Sequence, residues 1–304
     1  MAVGGPAVSG ERLDPDAAAL LAPLNANPPT PLHLCTPEEA RERHERAAAS
    51  IIAPLEPVAG IEDGEVAGVP VRTYHPGNAV GTTVYVHGGG WVTGTFASYD
   101  RVCRIMANRS ATDFVVAGYA LAPETKYPVQ RAQVYAVLDD ACRRIPNGVV
   151  LASDSAGSYL AIQAALRARD AGLPIRALVL LNPVIDPALD TESARTRATG
   201  YRLDTESLRW YWRHFLPDGR LPRSLFEESL ARLPSTFIMT AGFDPLHDEG
   251  IQFADALSKA GVPIQHLDCP GQIHGFLRLG HAIKDAHRVH DIVGTFIRDH
   301  ARAN

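Results

Sequence analysis

Lysine is almost missing from this chain. Only Lys126, Lys259 and Lys284 occur among 304 residues, and the other basic side chains are arginine. With 29 basic against 34 acidic residues, the formal charge is −5. A nucleic-acid binder usually shows a basic face, so this balance argues against one. Cysteine is also sparse. Cys35, Cys103, Cys142 and Cys269 are scattered, with no Cys-x-x-Cys pair. That spacing speaks against a metal or disulfide framework and suits reduced thiols in a cytoplasmic protein. No apolar run approaches the roughly 18 residues of a membrane helix, so no span is expected. The first residues carry no basic segment leading into an apolar core, so a secretory signal is not expected either. Internal repeats and low-complexity tracts are absent.

What remains is ordinary globular composition, 46% hydrophobic and 21% charged. The length is enough to bury about three quarters of the unfolded surface. The most informative stretch is Val149-Val150-Leu151-Ala152-Ser153-Asp154-Ser155-Ala156-Gly157-Ser158. An uninterrupted apolar run bounded by a turn reads as a strand buried on both faces. A helix-favouring segment, Tyr159 to Arg169, follows at once. Strand, sharp turn and helix is the layout of a nucleophile elbow, which holds a serine exposed at the end of a sheet. Ser155 is therefore the candidate nucleophile. A plain strand-to-helix connection with an N-cap serine would explain the pentapeptide equally well on its own. The rest of the chain decides between them.

Residues 1–54 read as peripheral helices. Asp14-Pro15 supplies a cap and a first-turn proline. Thr36-Pro37-Glu38-Glu39 is a capping box opening a helix to about Ser50. From Val66 to Tyr74 alternating residues predict an antiparallel hairpin at a sheet edge, with Gly64 and Gly68 marking a turn. Strands follow at Thr82–Val86, Phe114–Ala117, the elbow run, Ala177–Leu181, Thr236–Ala241 and Pro263–Leu267. Helices separate them at 98–110, 129–144, 159–169 and up to about 260, with a terminal helix at 281–302. That alternation predicts an α/β architecture, a mostly parallel sheet of about eight strands with helices on both faces. Residues 185–234 break the rhythm. Asp204 opens a helix there whose Leu208, Tyr211, Trp212 and Phe215 share one face, and Pro217 stops it. This insertion and the N-terminal helices read as a cap over a catalytic core formed by residues 55–184 and 235–304. Trp91, Asp154, Trp210, Tyr211 and Phe215 either line a substrate pocket or, for the aromatic residues of the insertion, form the cap's own core.

Three consecutive glycines in His87-Gly88-Gly89-Gly90-Trp91-Val92-Thr93-Gly94 cost backbone entropy and need a reason. Gly88, Gly90 and Gly94 make a loose dinucleotide-type pattern. No acidic residue ends a neighbouring strand at the required distance, and no Tyr-x-x-x-Lys pair exists. An oxyanion loop fits better, because bare backbone N–H groups can approach developing negative charge. Its donors are expected from Gly88, Gly89, Gly90 and Ala156, with His87 orienting the loop.

A serine needs a base, and the base needs an orienting group. Ser155, Asp244 and His274 each follow a predicted strand, and loops after parallel strands converge on one edge. Of the twelve histidines, His287 and His290 sit three apart on a helix but lack partners for a metal set. Cys269 near His274 follows a strand without an elbow and is the weaker nucleophile. Asp248, Glu249 and Glu124 read as structural residues.

Taken together, His87 to Gly94, Tyr119-Ala120-Leu121-Ala122-Pro123-Glu124, Asp154-Ser155-Ala156-Gly157, Asp244-Pro245-Leu246-His247-Asp248-Glu249-Gly250 and His274-Gly275-Phe276 resemble the hormone-sensitive-lipase-like α/β-hydrolases, the bacterial esterases of that group. The likeness runs from about Val66 to the C-terminus. Ser153 and Ser158 depart from it, because the family usually has glycine at both. The resemblance implies an α/β-hydrolase fold with a helical cap. It also implies a Ser155–His274–Asp244 triad acting on short- to medium-chain esters through an acyl-enzyme, with no metal or organic cofactor. A homodimer through the last strand and terminal helix is implied by resemblance alone. The same machinery could serve a lactone, an amide or an acetylated metabolite. Some relatives are non-catalytic receptors that have lost the histidine, which this chain retains.

Overall fold

The computed structural model describes residues 12–217 and 222–302. Its centre is one eight-stranded sheet in the order β1-β2-β4-β3-β5-β6-β7-β8. Strands β1 (Gly60–Val66) and β2 (Val69–His75) form the expected edge hairpin. They turn through Ala67 and Gly68, both at positive φ of 50° and 79°. A two-residue turn of that hand matches the twist of the strands it joins. Strand β2 pairs antiparallel with β4 (Asp113–Ala117). The remaining ladder through β3 (Thr82–Val86), β5 (Val149–Asp154), β6 (Ile175–Leu181), β7 (Ser235–Phe243) and β8 (Ile264–Ile273) is parallel throughout.

The inner strands are apolar at nearly every position because both faces are covered. In β3, Val84 and Val86 point into one core and Tyr85 into the other. Helices α4 (Val129–Arg144), α5 (Ala156–Asp170) and α8 (His247–Lys259) fill the first layer. Helices α3 (Phe96–Ser110) and α9 (Asp285–Ala301) fill the second, joined by Ala17 and Leu21 of α1 (Pro15–Ala26). Two boundaries differ from the sequence reading. Strand β8 continues past Leu267 to Ile273, because Thr240 and Ala241 keep pairing with Asp268 and Cys269. The terminal helix begins only at Asp285, after a short 3-10 turn at Phe276–Leu279.

Both N-terminal helix signals act as expected. The Asp14 carboxylate accepts from the N–H of Asp16 and Ala17 at 2.9 and 3.3 Å. Thr36 and Glu39 form the reciprocal capping box of α2 (Pro37–Ala49) at 2.8 and 3.2 Å. Arg41 then fixes α2 over the loops after β3 and β4. Its guanidinium grips Glu124 through two bonds of 2.8 and 2.5 Å and also donates to the carbonyls of Val92 and Ala122. In the 185–234 insertion, α6 (Glu192–Thr196) precedes α7 (Thr205–Phe215), which ends before Pro217 as expected. Trp212 and Phe215 pack on Trp91 with ring centroids 4.4 and 4.2 Å away, so α7 also lies over the loop after β3. No helix among the described residues is long and apolar enough to cross a membrane.

Three histidines set opposing pH limits on stability. Burial holds His44 down to about 2 and His290 down to about 4. Both are neutral in the fold and charge on unfolding near the ordinary value of about 6.5. Their stabilisation is complete above that value and drains away as the pH falls, through about 4 for His290 and on toward about 2 for His44. Burial also opposes charge on His247, but Asp248 and Asp268 flank its ring and outweigh it, lifting it to about 9. Its stabilisation is complete below about 6.5 and is lost as the pH rises through 9. Thermal denaturation should therefore show a Tm maximum near neutrality. The gap between wild type and His247→Gln should be largest at or below about pH 6 and close by about pH 10. An equal gap at both ends would contradict this assignment.

Candidate active site

The sharp turn after β5 brings the site together. Ser155 sits at φ 49° and ψ −125°, a backbone region that a non-glycine residue occupies only when its surroundings force it. Its N–H donates to Leu181 O at 2.8 Å, and α5 starts at the next residue. The helix start is pressed against the end of β3. A Cβ on Gly157 would stand 2.2 Å from Val86 O, so only glycine fits. The two serines that replace the family's glycines accommodate each other. Ser153 and Ser158 are fully buried, and Ser153 Oγ donates to Ser158 Oγ at 3.0 Å and to Val179 O at 3.2 Å. The elbow keeps its shape with its extra hydroxyls satisfied inside it.

Asp244 ends β7 and His274 ends β8, so neighbouring strands deliver both. His274 Nδ1 lies 2.7 Å from Asp244 Oδ2, and Nε2 lies 3.0 Å from Ser155 Oγ. An ionised carboxylate only accepts, so Nδ1 carries the proton and Nε2 is free to accept from the serine. Asp244 is fully buried and takes two further bonds, from Asn182 Nδ2 at 3.1 Å and from Leu246 N at 3.0 Å. The three residues proposed from sequence thus form one hydrogen-bonded chain.

The glycine loop lies against the elbow. His87 is buried, stacks on Tyr119 with centroids 4.4 Å apart, and meets Gly88 O through Nδ1 at 2.8 Å. It holds the loop, as expected. Among the described residues, the N–H groups of Gly89, Gly90 and Ala156 meet no protein acceptor. Gly88 is a correction. Its N–H donates to Asp154 Oδ1 at 2.7 Å and is not available as an oxyanion donor. Asp154 borders the recess beside Ser155 and His274. Its carboxylate also receives the hydroxyls of Tyr85 at 2.7 Å and Tyr99 at 3.0 Å, so it ties the glycine loop to β5.

The aromatic residues divide. Trp91 is buried and donates its indole N–H to Ala156 O at 2.8 Å, and Trp210 and Phe215 are buried too. These three form internal packing under α7 and do not line an open pocket. Only Tyr211 faces the site. Its ring lies so close to Gly90 that a Cβ there would stand 2.0 Å from it. The recess beside Ser155 and His274 lies on the α3 side instead. Its walls include Tyr85, Val102, Met106, Asp154, Leu277 and Arg278, and its volume is about 20 Å³.

The remaining candidates resolve as structural. Glu124 is held by Arg41, Asp248 accepts from Ser193 N at 2.8 Å, and buried Glu249 accepts from Ile185 N at 2.7 Å. Burial raises Glu249 well above the usual carboxylate range. Burial pushes the Cys269 thiol up to about 12, which leaves it a poor nucleophile. His287 and His290 each meet a backbone carbonyl, of Gly280 and Leu277.

A model of the α/β hydrolase fold matches residues 83–278. The chain belongs to the α/β-hydrolase family. It is 30% identical to the ethyl acetate hydrolase of Pseudomonas putida over 90% of this chain and 95% of that one. It is 33% identical to the carboxylic ester hydrolase LipN of Mycobacterium tuberculosis over 71% of this chain and 63% of that one. The crystal structure of a thermostable esterase from Pseudomonas putida superposes with a TM-score of 0.90 at 27% identity, covering 98% of this chain and all of that one.

Asn182 was not foreseen from the sequence. It ends β6 at the same sheet edge, and its φ of 47° suits asparagine or glycine. Replacing it with glycine keeps the backbone but removes one donor from Asp244. A hydrogen bond to a charged group is worth roughly 1.5 kcal/mol or more. Asn182→Gly should therefore lower kcat by about tenfold with a smaller effect on KM. An unchanged kcat would show that Asn182 has no part in orienting Asp244.

Proposed function

We propose that this chain is a serine carboxylesterase in which Ser155 attacks the ester, His274 is the base and Asp244 orients it. The hydrogen-bonded chain from Ser155 Oγ through His274 to Asp244, at 3.0 and 2.7 Å, carries this reading. The esterases and ester hydrolases among its relatives support it.

As Ser155 Oγ attacks the carbonyl carbon, its proton passes to His274 Nε2. Asp244 holds the imidazole in the tautomer that can accept and stabilises the imidazolium. The carbonyl oxygen becomes an oxyanion beside the open N–H groups of Gly89, Gly90 and Ala156. One such donor is typically worth roughly 3 kcal/mol. His274 then returns the proton to the leaving alkoxide, and the acid stays bonded to Ser155. Water, losing a proton to the same nitrogen, attacks the acyl-enzyme and releases the acid. The N-terminal helices and the 185–234 insertion act as the cap. The recess of about 20 Å³ holds little more than a methyl group, which favours short acyl chains, acetyl above all.

Chromogenic esters from acetate to dodecanoate test this. Wild type should turn over acetate best, and folded Ser155→Ala should lose on the order of 10³-fold or more in kcat/KM. Equal rates for wild type and Ser155→Ala would contradict the reading.

A further inference from the structure

Two arginines stand beside this site, and only one of them, Arg278, has a carboxylate near it. Arg278 follows the catalytic histidine by four residues and lines the recess next to Ser155 and His274. Its guanidinium lies over the Tyr99 ring at 4.1 Å. Only its Nη2 is engaged, with His44 Nε2 at 3.0 Å and Ser98 O at 3.3 Å. Among the described residues, its Nε and Nη1 meet no protein acceptor. The carboxylate that attracts it, Asp154, is already occupied by Gly88 N and two tyrosine hydroxyls.

Arg202 comes from the other side, out of the 185–234 insertion, with a left-handed φ of 76°. Its Nη1 reaches His274 O at a long 3.4 Å. The same atom would stand 3.5 Å from a Cβ on Gly275. No carboxylate acts on it. The charged group that faces it is Arg278, with the hydroxyls of Tyr99 and Tyr211 nearby. Its side chain is exposed, while the crowding of its guanidinium against the site, with Arg278 adding to it, brings it down to about 10. His44, between these elements, is neutral and supplies no counter-charge.

An arginine offers five donors in a planar fork, and these two leave most of theirs unspent. Two like charges brought to one site repel, and an anion placed between them relieves that repulsion. A purely structural role for Arg278, tying α2 to the loop after β8, needs only the Nη2 contacts. It leaves Arg202 without an explanation.

We propose that Arg202 and Arg278 form an anion subsite, and that the preferred substrate is a short ester carrying a carboxylate near its scissile bond. This rests on the reading of Ser155 as the nucleophile. The carboxylate bridges the two guanidiniums while the ester carbonyl faces the glycine loop. Charge then selects the substrate where the small recess gives little room for selection by shape.

Matched pairs of equal size but different charge test the subsite. Acetoxyacetate against acetoxyacetamide places the carboxylate on the alcohol side, and monomethyl succinate against methyl succinamate places it on the acyl side. Wild type should favour the acid member of at least one pair by about tenfold or more in kcat/KM, and added salt should weaken that preference. Arg202→Gln should reduce the acid-to-neutral ratio by about tenfold, mainly through KM. Because Arg202 is exposed, this variant keeps the test alive even if Arg278→Gln does not fold. A second readout is independent of turnover. Succinate should raise the Tm of wild type more than succinamide does, and Arg202→Gln should abolish the difference. Preference for the neutral member of both pairs, or an Arg202→Gln ratio equal to wild type, overturns the subsite while leaving the esterase reading standing. If no ester is hydrolysed, the nucleophile assignment fails. The subsite is then judged by the Tm difference alone, and its absence overturns it.

Discussion

The close approach of α5 to the end of β3 is the constraint on which the rest depends. The chain must leave β5, reverse at Ser155 and start a helix while passing within contact of the Val86 and His87 carbonyls. Only glycine at position 157 permits that approach. The strained backbone at Ser155 is the cost, and it is held by the Leu181 carbonyl and by the packing of buried helix α5 on the parallel strands. The same turn exposes the Ser155 hydroxyl at the sheet edge where β7 and β8 deliver Asp244 and His274. It also leaves the Ala156 N–H open. One backbone feature thus positions the Ser155 hydroxyl, the open Ala156 N–H and the place where Ser155, His274 and Asp244 meet.

Around that turn a second network holds the glycine loop. Asp154 gathers Gly88 N, Tyr85 and Tyr99 on one carboxylate, while His87 braces the loop from beneath, stacked on Tyr119. The loop is fixed before any substrate arrives, so little reorganisation is needed when charge develops. From above, α2 and α7 close over the same loop through Arg41 and Tyr211.

Much of this was legible in the sequence because it rests on local rules. Apolar runs alternating with helices fixed the parallel sheet, and the capping signals at Asp14 and Thr36 placed both N-terminal helices. Ser155, Asp244 and His274 could be read because each follows a strand of one sheet. Other features depend on tertiary direction, which spacing does not reveal. Gly88 looked like its two neighbours, but its N–H is turned toward Asp154. For Trp210 and Phe215 the sequence left pocket wall and cap core both open, and it placed Trp91 in the pocket; all three are buried, Trp91 against Phe215 and Trp210 against Tyr211 and His214. Asn182, Arg202 and Arg278 gave no sequence signal, since elements far apart in the chain bring them beside Asp244 and His274.

The central claim is that Ser155 is a nucleophile activated by His274 and oriented for attack. Intact-mass and peptide-mapping analysis after reaction with a fluorophosphonate tests it most directly. A single adduct on the peptide containing Ser155, lost when His274 is replaced by alanine although the protein stays folded, is the predicted result. No adduct on the folded wild-type protein, or an adduct on another residue that persists without His274, would contradict the account.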